Sequence, residues 1–259
     1  MVTVLWNVAP PTTPFRDVER YSEVSGLPRA GQFTGSLDYA SFSQGYDVTA
    51  TYAEFAQGIQ IERLLVEYDQ FNIIEERPRA LARSLFRRRQ FDSQRHLRNA
   101  FSVDTLFYNH TEGVALCSNS HTTTTGASVT AGFDNLSLSA FSATALAAGQ
   151  IQMAGFRDMQ AEPIEVVGDT IIIPIDMYEE AWEAVSSMGK VDSAQNNRNV
   201  HYGAYTLIFL RNKVDFTDTN DWFLADKQYM RDNFMWMDQV GPDPEYGMTE
   251  EFDTFVAKY

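Results

Sequence analysis

The chain has 259 residues, 44% hydrophobic and 13% aromatic, which is enough apolar material for a folded core and argues against extensive disorder. Its formal net charge of −15 repels DNA phosphates and anionic lipids, so general binding to nucleic acid or membrane is not expected. The absence of a long apolar window or a signal-peptide pattern predicts a soluble protein made in the cytosol, and the single cysteine, Cys117, excludes an internal disulfide.

The first 56 residues predict an arm followed by a hairpin. Residues 1–14 contain Pro10, Pro11 and Pro14, which oppose a regular helix or a central strand, so we predict an extended arm. Residues 21–52 are rich in Ser, Gly, Thr, Tyr and Phe, with glycines between short alternating runs. This pattern predicts two long exposed strands joined by a flexible tip. Such a hairpin has too little apolar surface to be stable alone and is expected to lie on another protein surface.

A strand within residues 57–67 and a long helix over residues 79–100 are predicted next. The helix carries seven arginines against one acid, Asp92. Residues 59–100 hold nine basic and six acidic residues, whereas residues 101–259 hold eight and 23. Basic charge is therefore concentrated on one helix, and the plainest alternative to a binding role is a solvated helix face.

The rest of the chain predicts alternating helices and strands after a threonine-rich loop at residues 101–130. Helices are expected at residues 137–153 and 177–187, and strands at residues 169–174, 205–210, 222–225, 234–237 and 252–259. The predicted inward faces are Leu138, Phe141, Ala145, Ala148 and Ile151 on the first helix and Tyr178, Ala181, Trp182 and Val185 on the second. This order predicts an α+β fold, and no linker divides it into autonomous domains.

Sequence signatures of catalysis and cofactor binding are missing. The chain has no phosphate-binding loop, dinucleotide fingerprint, zinc-protease motif or serine-hydrolase elbow. The best metal pattern, His110, Cys117 and His121, does not have the spacing of the usual structural zinc sites, so the two histidines are interpreted as ordinary loop residues and Cys117 as a buried or half-buried small hydrophobe. We therefore predict a protein without catalytic residues, metal or cofactor.

Nine short strings follow one another along the chain. They are Gly45-Tyr-Asp47, Gly58-Ile-Gln-Ile-Glu62, Arg77-Pro-Arg-Ala-Leu-Ala82, Asn99-Ala-Phe101, Ala115-Leu-Cys-Ser-Asn-Ser-His121, Leu136-Ser-Leu138, Asp169-Thr-Ile-Ile-Ile-Pro174, Asp221-Trp-Phe-Leu224 and Phe252-Asp-Thr-Phe-Val-Ala-Lys-Tyr259. No single string is diagnostic, but their order and spacing over more than 200 residues resemble the major capsid proteins of tailed bacteriophages, which have the Hong Kong 97-like fold, and especially the Mu-like major head subunits.

The resemblance implies a division of the chain. Residues 1–17 would be the N-terminal arm, 18–56 the E-loop, 57–131 the peripheral domain with its spine helix, 132–212 the axial domain, and 213–259 the strands that return to the peripheral domain. It also implies a structural subunit that forms pentamers and hexamers of an icosahedral shell around double-stranded DNA, in the virion and, during assembly, in the host cytoplasm. Scaffold, portal and decoration proteins would be further partners, and no membrane is involved.

Two other classes stay open at this point. An enzyme would need convergent polar groups that the sequence does not show, and a β-rich virion or cell-surface binding protein would not need the long helix. A capsid subunit accounts for the unsupported hairpin, the basic helix and the missing active site together.

The long helix then yields the candidate contact residues. Arg79, Arg83 and Arg87 lie above one another at i, i+4 spacing and repel each other. Glu75 is placed to serve Arg79, and Asp92 to serve Arg88, Arg89 and Arg95, but Arg83 and Arg87 have no local acid. We predict that acids of a neighbouring subunit's E-loop face these two arginines, from Glu23, Asp38, Asp47 and Glu54. The alternative is that both arginines are hydrated or covered by the subunit's own arm.

Overall fold

The computed structural model describes residues 2–9, 16–37, 39–62, 67–68, 73–126, 132–189, 197–238, 249–251 and 256–258. The chain forms two compact units, each assembled from separate stretches of sequence. The first unit comprises Met1–Asp17, Tyr52–Arg95 and Phe234–Tyr259, and the second comprises Val18–Thr51 and His96–Asn233.

The first unit contains the N-terminal residues, a long helix and two small sheets. Helix α1 (Val2–Leu5) leads into β1 (Asn7–Ala9), which pairs in parallel with β9 (Met235–Met237). The second sheet is antiparallel, in the order β10 (Thr249–Glu251), β11 (Val256–Lys258) and β4 (Gln60–Glu62). Both sheets therefore pair residues before position 63 with residues after position 234.

The predicted extended arm is wrong for residues 2–9. Leu5 and Trp6 are buried, and the Trp6 ring packs against Phe234 and Trp236 at centroid distances of 5.4 and 5.8 Å. A helical turn brings these apolar side chains into the unit, and β1 then gains backbone partners in β9. The proline-rich residues 10–15 lie outside the described part of the chain.

The long helix differs from its prediction at both ends. Helix α2 (Ile73–Ser93) begins six residues before Arg79 and includes Pro78, and a turn at Gln94 separates it from α3 (Arg95–Arg98). The Ser93 carbonyl oxygen accepts a hydrogen bond from Trp6 Nε1 at 2.7 Å. In a continuous helix that oxygen would accept the N–H four residues further on, so the indole competes with helix continuation.

The second unit begins with the hairpin. Strands β2 (Val18–Val24) and β3 (Gln44–Thr51) pair antiparallel with an irregularity between Ser22 and Val24, and β5 (Tyr108–His110) pairs with the other edge of β3. The predicted pair of strands is confirmed, but the segment at residues 101–130 contains a strand and is not only loop. The hairpin base thus has a third strand in its own unit.

The core of the second unit is a three-stranded sheet with helices against it. Strand β6 (Thr170–Pro174) is central, parallel to β7 (Thr206–Leu210) and antiparallel to β8 (Phe223–Ala225). Helices α4 (Ala143–Ala154), α5 (Tyr178–Ser186) and α6 (Lys227–Asn233) belong to this unit, with a 3-10 turn at Ile175–Met177. All five residues of β6 are buried, and the apolar cluster beside it is Phe141, Leu146, Ile171, Ile173, Met177, Ala181 and Val185.

The inward helix faces were predicted only in part. Phe141, Ala145, Ala181 and Val185 are buried as expected. Leu138 and Ile151 are 91% and 75% exposed, and Ala148 is exposed, because α4 begins at Ala143 after the Ser142 cap and buries Leu146 and Met153. On α5, Tyr178 and Trp182 are 45% and 50% exposed, which leaves a narrower buried face than the spacing suggested.

Candidate interaction site

The hairpin tip, residues 27–42, presents large apolar side chains to solvent. Phe33 is 68% exposed, Leu37 69%, Tyr39 88% and Phe42 66%, and Leu27 is also exposed. Single exposed apolar residues are common on proteins, but a group of this size on one loop marks an interaction surface. These residues are not among the contacts predicted from the sequence. The sequence did contain a signal for an exposed apolar surface. Aromatic residues recur in this Gly- and Ser-rich stretch, but they do not alternate with polar residues as they would on a strand with one buried face.

Among the predicted acids, Asp47 has partners within the hairpin. Its carboxylate pairs with Arg20, accepts a hydrogen bond from Ser22 Oγ at 2.5 Å and another from Gln44 Nε2 at 3.0 Å. The hydrogen bonds from Arg20 and Ser22 lower the pKa of Asp47 to about 2. Asp47 therefore stabilises the pairing of β2 with β3, and these contacts make it less available for a second chain.

The other predicted acids are placed differently. Glu23 lies at the hairpin root, where the Tyr46 backbone N–H donates to its carboxylate. Glu54 is exposed in the first unit, and no hydrogen bond or ion pair joins it to another described residue. Asp38 lies outside the described residues, between the exposed Leu37 and Tyr39.

The arginines of α2 divide into partnered and unpartnered groups. Arg88 Nε lies 2.7 Å from Asp92 Oδ2, as predicted, and its guanidinium lies 4.2 Å from the centroid of the Phe55 ring. Arg89 pairs with Asp238, an acid that the sequence did not place nearby. Arg83 and Arg87 are exposed, and within the described ranges neither has a hydrogen-bond or ion-pair partner.

Arg79 lies on the same face of α2 as Arg83 and Arg87, and it is also exposed. The structure thus leaves an arginine stripe, which we define as Arg79, Arg83 and Arg87, open to a partner from elsewhere. Glu75 was predicted to pair with Arg79, but its side chain lies outside the described part of the structure. Within the described part of the first unit, no hydrogen bond or ion pair joins the arginine stripe to Glu54, the predicted acid of the same unit.

His110 and His121 do not form a metal-binding cluster with Cys117 in the described part of the chain. His121 Nδ1 lies 3.1 Å and His110 Nδ1 3.7 Å from Glu112 Oε2. Burial raises the pKa of the Cys117 thiol to about 11, with Asp221 acting in the same direction. Over the described ranges, no set of three His, Cys, Asp or Glu side chains is arranged to hold a metal ion.

A groove of about 340 Å³ runs along α2 in the first unit. Its lining residues are Gln57, Ile59, Gln60, Arg77, Ala80, Leu81 and Ser84. Arg77 is the one titratable side chain in this lining, so the groove lacks the paired acid and base groups of a hydrolytic site. None of the described helices combines the length and apolarity needed to span a membrane.

Comparison with known proteins points to one family. A family model described as phage capsid protein matches residues 45–258. A search of curated protein sequences finds no match.

Solved structures with a similar fold include chains of phage capsids. A chain of the bacteriophage JBD30 capsid aligns with a TM-score of 0.59 and 12% identity, covering 80% of this chain and 89% of that one. A chain of the JBD30 capsid decorated with minor capsid protein trimers aligns with a TM-score of 0.53 and 12% identity, covering 81% and 89%. Because the family model spans most of the sequence and the fold agrees with it, the chain belongs to the phage capsid protein family and is a structural protein of a phage capsid.

Proposed function

We propose that this chain is a non-catalytic shell subunit of the Hong Kong 97-like type that assembles through its hairpin. In this proposal residues 18–56 form the E-loop, 57–131 the peripheral domain, 132–212 the axial domain and 213–259 the returning strands, after an arm at residues 1–17. Pentamers and hexamers of the chain close an icosahedral shell around double-stranded DNA. The observation that carries the proposal is the exposed apolar tip at residues 27–42, which has more hydrophobic surface than a free loop retains without a partner.

The occupant of that surface is a second copy of the chain. A stable contact between copies buries on the order of 1,000 Å² or more, and a tip with five large apolar side chains supplies the apolar centre of such a contact. The arginine stripe supplies a charged part, facing carboxylates of the neighbour. Asp38 and Glu54 are the leading candidates, because Asp47 is engaged by Arg20.

The enclosed genome makes no tight contact with the wall. The 23 acids against eight bases after residue 100 repel duplex phosphates and let packaged DNA move. A tight interaction of the free subunit with duplex DNA, weakening steeply with salt, would contradict this point because counterion release marks phosphate contact. Scaffold, portal and decoration proteins remain proposed partners, and assembly is expected in the host cytoplasm.

Electron microscopy of the purified chain tests the proposal directly. We expect rings, capsomers or closed shells, alone or on coexpression with a scaffold, and a compact monomer under all salt conditions would overturn it. A chain lacking residues 27–42 should fold without assembling, because the deletion keeps β2, β3 and β5. The matched control replaces the apolar tip residues Phe33 and Phe42 with leucine, which keeps the tip apolar and should preserve assembly.

A further inference from the structure

The hairpin strands of the second unit are supported unevenly along their length. Strand β5 pairs with residues 48–50 of β3, and the Thr111 backbone N–H then donates to the Asp47 carbonyl oxygen at 2.9 Å. Closer to the tip, β2 and β3 alone would form a two-stranded ribbon, which is marginally stable in water. This end of the hairpin, residues 22–25 and 43–46, is the hairpin root, and it needs contacts of another kind to stay ordered.

Four consecutive threonines, residues 122–125, continue the support where β5 ends. We call them the threonine run. The Thr122 and Tyr46 hydroxyl oxygens lie 2.6 Å apart, and Thr124 Oγ1 donates to the Gln44 backbone carbonyl at 3.3 Å. Gln44 is the residue at which β3 begins after the tip. The sequence predicts only loop for the threonine run, yet its hydroxyl groups bond to β3 beyond the last partner that β5 supplies.

Both ends of the threonine run are anchored within the same unit. At the first end, the Thr122 backbone N–H donates to Glu112 Oε1 at 2.7 Å, in the loop after β5. At the last end, the Thr125 hydroxyl donates to the backbone carbonyl of Met159, in the turn after α4. That turn is closed by Asp158, whose Oδ1 accepts two backbone N–H groups, each at 2.9 Å. Because the run is held at both ends, a displacement of the hairpin root breaks its bonds to β3.

The turn after α4, residues 157–163, also contacts the other strand of the hairpin. Arg29 donates from its backbone N–H to Glu162 Oε1 at 3.2 Å and from Nε to Glu162 Oε2 at 2.6 Å. A Cβ added at Gly26 would lie 2.6 Å from Asp158 Oδ2, so the backbone just after β2 lies directly against this turn. The root is therefore held on both strands, by the threonine run at β3 and by the turn after β2.

We propose that the threonine run is a clasp that fixes the direction in which the hairpin tip projects, so that Thr122, Thr124 and Thr125 are positioning residues for the contact that the tip makes. One short segment is bonded to β3, to the loop after β5 and to the turn after α4. A tip held in one direction before it meets its partner loses less conformational entropy on binding. This consequence for assembly rests on the proposed function, whereas the hold on the hairpin root does not.

Hydrogen exchange of the unassembled chain measures the clasp. One variant replaces Thr122, Thr124 and Thr125 together with valine, which keeps the branched shape and removes the hydroxyl groups. A second variant replaces the same three residues with serine, which keeps the hydroxyl groups. We expect the amides of the hairpin root to exchange about tenfold or more faster in the valine variant than in the unaltered chain. The serine variant should stay close to the unaltered chain, and the amides of β6 should exchange at the same rate in all three.

Two single substitutions serve as checks on this result. Tyr46→Phe removes only the hydroxyl that faces Thr122, and it should accelerate exchange of the same amides by a smaller factor. Thr144→Val makes the same chemical change at an exposed position of α4, and it should leave exchange in the hairpin unchanged. Unchanged exchange in the valine variant would overturn the clasp. An equal acceleration in β6, or a serine variant as fast as the valine variant, would overturn it as well.

Assembly then tests the positioning role. With its tip side chains intact, the valine variant should need a several-fold higher concentration than the unaltered chain to form particles in sedimentation, and the serine variant should restore normal assembly. Fast exchange at the hairpin root together with normal assembly of the valine variant would overturn the positioning role. If the unaltered chain itself never assembles, the proposed function is wrong, and the exchange comparison still decides whether the clasp holds the hairpin.

Discussion

Charge reversal of the arginine stripe is the sharpest test of how copies of the chain meet. The variant Arg83→Glu with Arg87→Glu removes two exposed cations that have no partner within the described ranges. The matched control is Lys227→Glu with Arg231→Glu, which makes the same charge change at the same i, i+4 spacing on α6. We expect the first variant to block or weaken shell formation and the control to assemble.

The double charge reversal should change the stability of the isolated subunit very little. Two like-charge pairs, Arg79 with Arg83 and Arg83 with Arg87, each destabilise a helix by about 0.2–0.5 kcal/mol. Reversal makes the first pair attractive and leaves the second repulsive, so the free energy of unfolding should rise by less than about 1 kcal/mol. Thermal unfolding of the unassembled subunit should therefore be nearly unchanged.

The contact between copies should weaken much more. An exposed ion pair contributes about 0.2–1 kcal/mol, and reversal at two positions turns attraction into repulsion, so each contact should lose about 1–4 kcal/mol. That loss corresponds to roughly a fivefold to a thousandfold weaker association, multiplied over every contact of a shell. Sedimentation and electron microscopy would count the shells, and Asp38→Lys or Glu54→Lys should restore part of the yield. Normal shells from the Arg83 and Arg87 variant, or an equal loss in the α6 control, would refute the reasoning.

Three further predictions concern the second unit. Ile173→Ala should lower the free energy of unfolding by about 2–5 kcal/mol in urea titrations and Ile173→Val by about 0.5–1.5 kcal/mol, because Ile173 is fully buried, and equal effects would contradict the described core. Because the pKa of Asp47 is lowered to about 2, its carboxylate contributes its full stabilisation of the hairpin above the ordinary pKa of 3.8 and loses it as pH falls through 2. Hydrogen exchange of β3 amides in the unaltered chain should therefore accelerate as pH falls from 3.8 to 2, and Asp47→Asn should remove this acid-dependent increase. Cys117, with its pKa raised to about 11, should resist thiol reagents at about pH 8 until urea unfolds the chain, and rapid native labelling would show the thiol to be accessible.

Local sequence pattern predicted the parts of the fold that depend on near neighbours. The hairpin strands, the buried strand β6 and the pairing of Arg88 with Asp92 all follow from spacing or β-branched runs within a few residues. The break at Gln94 could not be predicted in this way, because the group that competes for the Ser93 carbonyl is Trp6, 87 residues earlier. The start of α2 was misjudged because Pro78 normally argues against a helix interior.

Interaction residues were predicted less well than elements, for a related reason. The spacing of acidic residues along α2 predicted that Arg83 and Arg87 lack a local acid. Within the described ranges, neither arginine has an ion-pair partner. The pairing of Asp47 with Arg20 depends on the register of two strands separated by a long loop, which the sequence does not specify. The exposed Trp182 shows the same limit, since a helical spacing of apolar residues does not reveal how wide a face the core covers.

The interleaving of the two units has a consequence for the order in which a growing chain can fold. Strand β1 finds its partner β9 only after Met235–Met237 has been made, and β4 needs Val256–Lys258. The second unit, by contrast, is complete once Asn233 has left the ribosome. We expect the first unit to remain open until Val256–Lys258 has been made, since its strand pairs join distant residues. Chains that stop before Met235 would then lack both of its sheets, and such a truncated product could not present a finished first unit to a growing shell.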